Sequence, residues 1–197
     1  MYEEKLIAHN LKASKEQILD DLKGFMSPLQ RRMLKELLQH LDELNVHIEN
    51  LNDEIDNFMK PEEKQASQVI QDVTGIGNTS AQTIIAVIGT DMERFPSDRH
   101  ISSWAGLCPG DNVSAKKRKS GKIRKGNALL KSTLVLCAHA AVRHKSSYFH
   151  AQFKRISTHR GKKRAYVAVA HSILIAIYHI LKDGVKYQDL GAEYYNQ

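Results

Sequence analysis

The stretch QVIQDVTGIGNTSAQTIIAVIG, residues 68–89, decides how this chain is read. A short apolar run leads into Gly75-Ile76-Gly77, and Ala81, Ile84, Ile85, Val87 and Ile88 follow at helical spacing. The pattern predicts two short helices joined by a tight glycine turn, with Asn78 or Thr79 as N-cap of the second. This is the pattern of a helix-hairpin-helix. Two glycines around one apolar residue let the backbone turn sharply. Amides at the start of the second helix can then hold a phosphate, which nominates Gly75, Gly77 and Asn78 as nucleic-acid-binding positions. The plain alternative is a glycine-containing turn between two helices.

Upstream, Leu34, Leu37, Leu41, Leu44, Ile48, Leu51, Ile55 and Phe58 alternate at spacings of three and four, with polar residues between them. This is a heptad seam, and it predicts a long helix that pairs with a second copy in a homodimer or higher oligomer. An amphipathic helix lying on the body is the other reading. Asn45, Asn50, Asn52 and Asn57 stand off the seam and do not fix its register. Pro61 ends or re-aims the helix. Ahead of it, Ser14 with Gln17 makes a capping box, and Gly24 is the expected stop of a short first helix.

Downstream, residues 90–111 predict a loop, a short helix and a turn anchored by Phe95 and Trp104. Two apolar helices are expected at about 127–144 and 163–182, joined by the basic segment KRISTHRGKKR. No segment combines strand alternation with turn punctuation, so the expected class is all-α. The expected organisation is 1–28 N-terminal helical segment, 29–60 coiled-coil helix, 61–90 helix-hairpin-helix, 91–187 helical domain with a basic loop, and 188–197 tail.

Charge is distributed unevenly. Residues 1–111 hold 11 Lys+Arg against 19 Asp+Glu, whereas residues 112–197 hold 18 against 3, with no acid between Asp111 and Asp183. An acid-free basic half predicts a polyanionic partner, because counterions released from phosphates drive such association. Nucleic acid fits better than a membrane, for no amphipathic surface helix exposes an apolar face. The longest apolar run, residues 165–181, holds His171 and His179 and is short for a bilayer span, so a core helix is expected. Two cysteines without metal-ligand spacing, and an N-terminus without signal-peptide character, predict a cytoplasmic protein.

Most of that charge is concentrated in NVSAKKRKSGKIRKGN, residues 112–127. Lys116, Lys117, Arg118, Lys119, Lys122, Arg124 and Lys125 make it a phosphate-binding loop, with Asn127 at its end and Lys162, Lys163 and Arg164 as a second basic cluster. SGK at 120–122 lacks the flanking residues of a P-loop. The histidines from His139 to His179 show no paired-ligand spacing, and no metal site is expected in the chain. Ser114 is a candidate hydroxyl for attack on a phosphodiester. The loop supplies charge to stabilise the transition state but no base, and a solvated polar residue or local cap is the other reading of Ser114.

The segments DVTGIGNTSAQTIIAVIG (72–89), RF (94–95), WAGLCPGDNVSA (104–115), GKIRKGNALLKSTL (121–134) and GKKRAYVAVAHSILIAIYHIL (161–181) occur in that order. Together they resemble the C-terminal transposase domain of the DEDD-type insertion-sequence transposases, a family that includes Piv-type invertases and bridge-RNA-guided recombinases. The resemblance runs from about residue 30 to 187. Gly106, Leu107 and Pro109 match the family pattern, as do Lys125, Gly126 and Asn127, and Ser114 falls on the family's serine. Ala115 stands where the family has glycine. The resemblance implies a transposase or site-specific recombinase that cuts and rejoins DNA through Ser114, with DNA and a guide RNA as partners. It also implies Mg²⁺ bound by a RuvC-like acidic domain that these residues do not contain. A fragment is therefore expected, inactive alone, and a non-catalytic DNA/RNA-binding and dimerisation module is the alternative.

Overall fold

The computed structural model describes residue 17 and residues 26–108, 112–114, 117–120 and 125–195, with backbone alone for 112–114 and 117–120. Apart from Gln17, the first predicted helix with Ser14 and Gly24 lies outside the described residues. The described residues are all-α apart from a two-stranded ribbon in the basic loop, and the chain divides into two compact units, residues 1–57 and 58–197.

The first unit is described through α1 (Pro28–Phe58). Its start is set by a local device that the seam does not reveal. The Ser27 amide donates to Gln30 Oε1 at 2.8 Å and the Gln30 amide to Ser27 Oγ at 3.3 Å, a reciprocal cap, with Pro28 at the first helical position. No residue of α1 is buried. Leu37, Leu41, Leu44, Ile48, Leu51, Ile55 and Phe58 are all exposed, Phe58 at 89%.

The second unit begins with α2 (Pro61–Ile70), where Pro61 opens the new helix and Glu63 accepts from the Lys60 amide at 2.9 Å. Then follow α3 (Asn78–Ile88), a 3-10 turn at Met92–Arg94, and α4 (Asp98–Trp104). After the basic loop come α5 (Ala128–Ala141), α6 (Tyr148–Arg160) and α7 (Lys162–Asp183). The segment expected to link two helices is thus itself mostly helical, interrupted only at Gly161. Ser147 starts α6, its hydroxyl accepting from the His150 amide at 3.2 Å.

Helix α7 is the centre of the core. It packs on α5 and α6 and also meets α2 and α4. Ile173, Leu174 and Ile177 of α7 join Ile70, Ile84, Ile85, Ile88, Leu130 and Leu134 as fully buried side chains, each contributing about 1.5–3 kcal/mol of burial. By length and composition α7 could cross a membrane, but its buried face makes it a core helix here. Phe95 is buried, and its carbonyl accepts from Tyr178 Oη at 3.0 Å. Trp104, expected as a second anchor, is 41% exposed and leans on Phe95 with ring centroids 5.6 Å apart. Cys137 is buried, and burial pushes its thiol up.

Residues 184–195, expected to run into a tail from 188, form a strap. A 3-10 turn at Ala192–Tyr195 packs on α6, Tyr195 Oη donates to Tyr148 Oη at 2.8 Å, and Arg155 lies 4.7 Å over the Tyr195 ring. Asp189 anchors the strap. Its Oδ1 accepts from the amides of Tyr148 and Gly191, both at 2.8 Å, and its Oδ2 from the hydroxyls of Thr74 and Tyr187, both at 3.2 Å. Burial alone would push this carboxyl up, but the four donors outweigh it and hold it below the usual carboxylate range. Burial also pushes the Tyr187 phenol up to about 12, which keeps it a donor.

The sign of the pH dependence follows. A lowered folded pKa contributes stability that is complete above the unfolded value near 4 and is lost as pH falls through the folded value. The Tyr148 and Gly191 amides should therefore lose hydrogen-exchange protection below about pH 4, ahead of the α7 amides. Asp189→Asn should remove that acid step. Protection that fades together with α7 would count against a separate anchor.

Candidate nucleic-acid interface

Residues 73–76 form a tight turn closed by the Ile76 amide on the Val73 carbonyl at 3.0 Å. Gly75 stands third in it with φ +95°, the conformation a type II turn demands there. A Cβ on Gly75 would lie 2.5 Å from the Cys137 carbonyl oxygen and 2.6 Å from the Ala141 nitrogen, so the turn is seated directly on the α5 backbone. Val73 and Ile76 are buried on either side.

Gly77 is different. It is exposed, has φ −100°, and a Cβ there would meet nothing within 4 Å. It is the N-cap of α3, a position the sequence assigned to Asn78 or Thr79, and no side chain closes that cap. The amides of a helix's first turn lack intrahelical acceptors, and here they start at an exposed glycine. Asn78 is the first residue of the helix, and its Oδ1 accepts from Gln71 Nε2 at 3.4 Å.

The two ends of the basic loop are held together. Gly126 lies against the Ala105–Gly106 peptide, so that a Cβ on it would be 2.4 Å from the Gly106 nitrogen. The Asn127 amide donates to the Trp104 carbonyl at 3.4 Å. Asn127 Oδ1 accepts from the Leu130 amide at 2.9 Å, so this side chain serves as the N-cap of α5. The WAG and KGN segments, twenty residues apart in sequence, thus form the base of one loop.

Within that loop a short ribbon replaces the irregular chain the sequence predicts. β1 (Asn112–Ser114) and β2 (Lys117–Ser120) pair antiparallel, with Ser114 opposite Lys117, Val113 opposite Arg118, and a bulge between Asn112 and Val113. Ser114 is therefore the last paired residue before the ribbon's tip, and the backbone of Lys117, Arg118 and Lys119 belongs to the facing strand. Pro109, Lys116, Lys122 and Arg124 lie outside the described residues. Lys125 is described and exposed.

Lys162, Lys163 and Arg164 occupy the first turn of α7, all exposed, with no acid among them. Gly161, at φ +80°, separates them from the exposed Arg160 and His159 that end α6. Three cations at the positive end of a 22-residue helix oppose its dipole, an arrangement that an anion would relieve. Three of the histidines have local partners: His150 Nδ1 lies 2.7 Å from the Val142 carbonyl, His179 Nδ1 2.7 Å from Asp183, and His139 stacks on Tyr166.

Residues 67–154 match a family model described as transposase IS116/IS110/IS902 family. The chain is 32% identical over 108 residues to the transposase for insertion sequence element IS1111A of Coxiella burnetii, covering 53% of this chain and 29% of that protein. It is 28% identical over 135 residues to an uncharacterized 43.6 kDa protein of insertion element IS110 from Streptomyces coelicolor, covering 64% of this chain and 31% of that protein. The chain thus spans about three-tenths of the length of the curated relatives it matches. The segment holding the glycine turn, the closed basic loop and α5 is homologous to IS110/IS1111-family transposases.

Proposed function

We propose that this chain is the DNA-binding, serine-bearing part of a transposase or site-specific recombinase. The reading is carried by one coincidence: the homologous segment contains both the glycine turn and Ser114, and Ser114 lies in a stretch that is acid-free from 112 to 182. The ribbon cations and the first turn of α7 take phosphates, and the exposed start of α3 holds a second stretch of backbone. Ser114 Oγ attacks phosphorus. The new bond is Oγ–P, the broken one is P–O to a deoxyribose oxygen that leaves and takes up a proton, and the reverse step rejoins the strand. Among the described residues no three His, Cys, Asp or Glu side chains converge. Activation of Ser114 is assigned to the RuvC-like acidic domain of a complete recombinase. The seam of α1 supplies self-association.

One observation favours a purely binding module instead: beyond Asp111, three positions before Ser114, no carboxylate follows until Asp183, so the basic loop itself carries no base. Covalency separates the two readings. The isolated chain should bind duplex DNA reversibly, losing about 10²–10³ in affinity between 50 and 200 mM salt, as expected for some five phosphate contacts. Lys162→Gln, Lys163→Gln and Arg164→Gln together should lower the log–log salt slope by up to about three. With the acidic domain present, a suicide substrate should trap an adduct on Ser114 that Ser114→Ala abolishes. An adduct elsewhere, or strand exchange undiminished in Ser114→Ala, would remove the nucleophile assignment.

A further inference from the structure

The glycine turn is fixed from two sides. Gly75 is seated on α5, and Thr74 Oγ1 donates to Asp189, 115 positions later in the chain. Between the buried Val73 and Ile76, Thr74 is the one side chain of the turn outside the core, and its hydroxyl is held by the strap. We propose that Asp189 is a positioning residue for the phosphate-binding turn, and that the strap after α7 is a working part of the nucleic-acid interface.

The physical case rests on the turn's weakest coordinate. A type II turn and its type I counterpart differ by rotation of the central peptide, here the one joining Thr74 to Gly75. Contact with α5 holds the glycine end of that peptide, and the Asp189 bond holds the threonine end. Rotation would re-aim Ile76 and Gly77 and with them the first amides of α3. Asp189 can act as a rigid anchor because its four bonds converge from three places: the start of α6, the turn, and Tyr187 and Gly191 of the strap itself. The anchor also ties the orientation of the α3 start to that of α6, whose far end carries Arg160 and leads into the cations of α7.

This inference rests on the reading that the α3 start holds phosphate, and the experiment separates the two. The full chain is titrated with a fluorescein-labelled 20-base-pair duplex at several salt concentrations, well below the melting temperature. Thr74→Val, Asp189→Asn, the double variant, Thr74→Ser and Gly77→Glu are compared. Thr74→Val and Asp189→Asn should each weaken binding about three- to tenfold and lower the salt slope by about one contact. The double variant should be no worse than either single one, and Thr74→Ser should restore binding. If Asp189→Asn does not fold, Thr74→Val decides alone, since it removes a single hydroxyl. Wild-type affinity and slope in Thr74→Val, with Gly77→Glu weakened, would overturn the positioning role and leave the phosphate-binding turn standing. Wild-type binding in Gly77→Glu as well would overturn both.

Discussion

Gly75→Ala should cost the second unit roughly 3–5 kcal/mol, combining overpacking with a strained positive φ, whereas Gly77→Ala should cost less than about 1 kcal/mol. The two glycines look equivalent in the sequence but do different physical work. At Gly75 a methyl group would meet backbone atoms of α5 at 2.5 and 2.6 Å, and backbone cannot swing aside as a flexible side chain can. The residue would also have to hold φ at +95°. At Gly77 neither constraint applies. Its missing side chain matters only to something approaching from outside, so Gly77→Ala should keep its melting temperature while binding duplex DNA several-fold more weakly. Denaturant unfolding and an anisotropy titration of both variants check this together. Equal stability losses would contradict the seating of Gly75. Unchanged affinity in Gly77→Ala would argue against phosphate at the start of α3.

What could be read from the sequence was what local spacing encodes. The three-four alternation of α1 and the apolar periodicity of α3, α5 and α7 are properties of neighbours, and they gave helices where helices stand. The sequence does not announce helix α6, because YFHAQFKRISTHR mixes cations, serines and few apolar positions. Its stability comes from the Ser147 cap, the Asp189 carboxylate at its start and the face it lays on α7. The sequence predicts the N-cap of α3 one or two residues late because Asn and Thr are better caps than Gly. Here the Val73–Ile76 turn leaves Gly77 extended at the helix entrance regardless. The ribbon at 112–120 has no apolar alternation to announce it.

The candidate site divides along the same line. Its cations were visible as composition, but the closure that frames them was not. Nothing near Gly126 signals that it must lie against the Ala105–Gly106 peptide, and Asn127, nominated as a nucleic-acid ligand, has its side-chain oxygen engaged as a cap. Asp189 is the extreme case. It stands alone in a polar stretch, and its partners lie 41 and 115 positions away, so only tertiary structure reveals that it connects the turn to α6.

Leu44→Asp together with Leu51→Asp should abolish the self-association proposed for the α1 seam while leaving the second unit's unfolding unchanged. In α1 as it stands, Leu44 is 46% and Leu51 57% exposed, and the remaining seam residues from Leu37 to Phe58 are exposed with them. A stripe about 32 Å long at 1.5 Å per residue, left open to water, is what a second helix of the same kind would cover. Each leucine contributes about 1.5–3 kcal/mol when fully buried, and in a dimer each substitution removes that contribution twice. One Leu→Asp change should therefore weaken association by on the order of 10³-fold, and the pair should abolish it at micromolar concentration. Sedimentation equilibrium on the wild-type and doubly substituted chains reads this directly. Core residues such as Ile173 and Leu174 should keep their unfolding transition in both. A wild-type chain that stays monomeric at 100 micromolar would rule out self-association through the seam and leave the exposed stripe to a different partner. Weaker association with a parallel fall in duplex affinity would instead show that two copies grip one DNA.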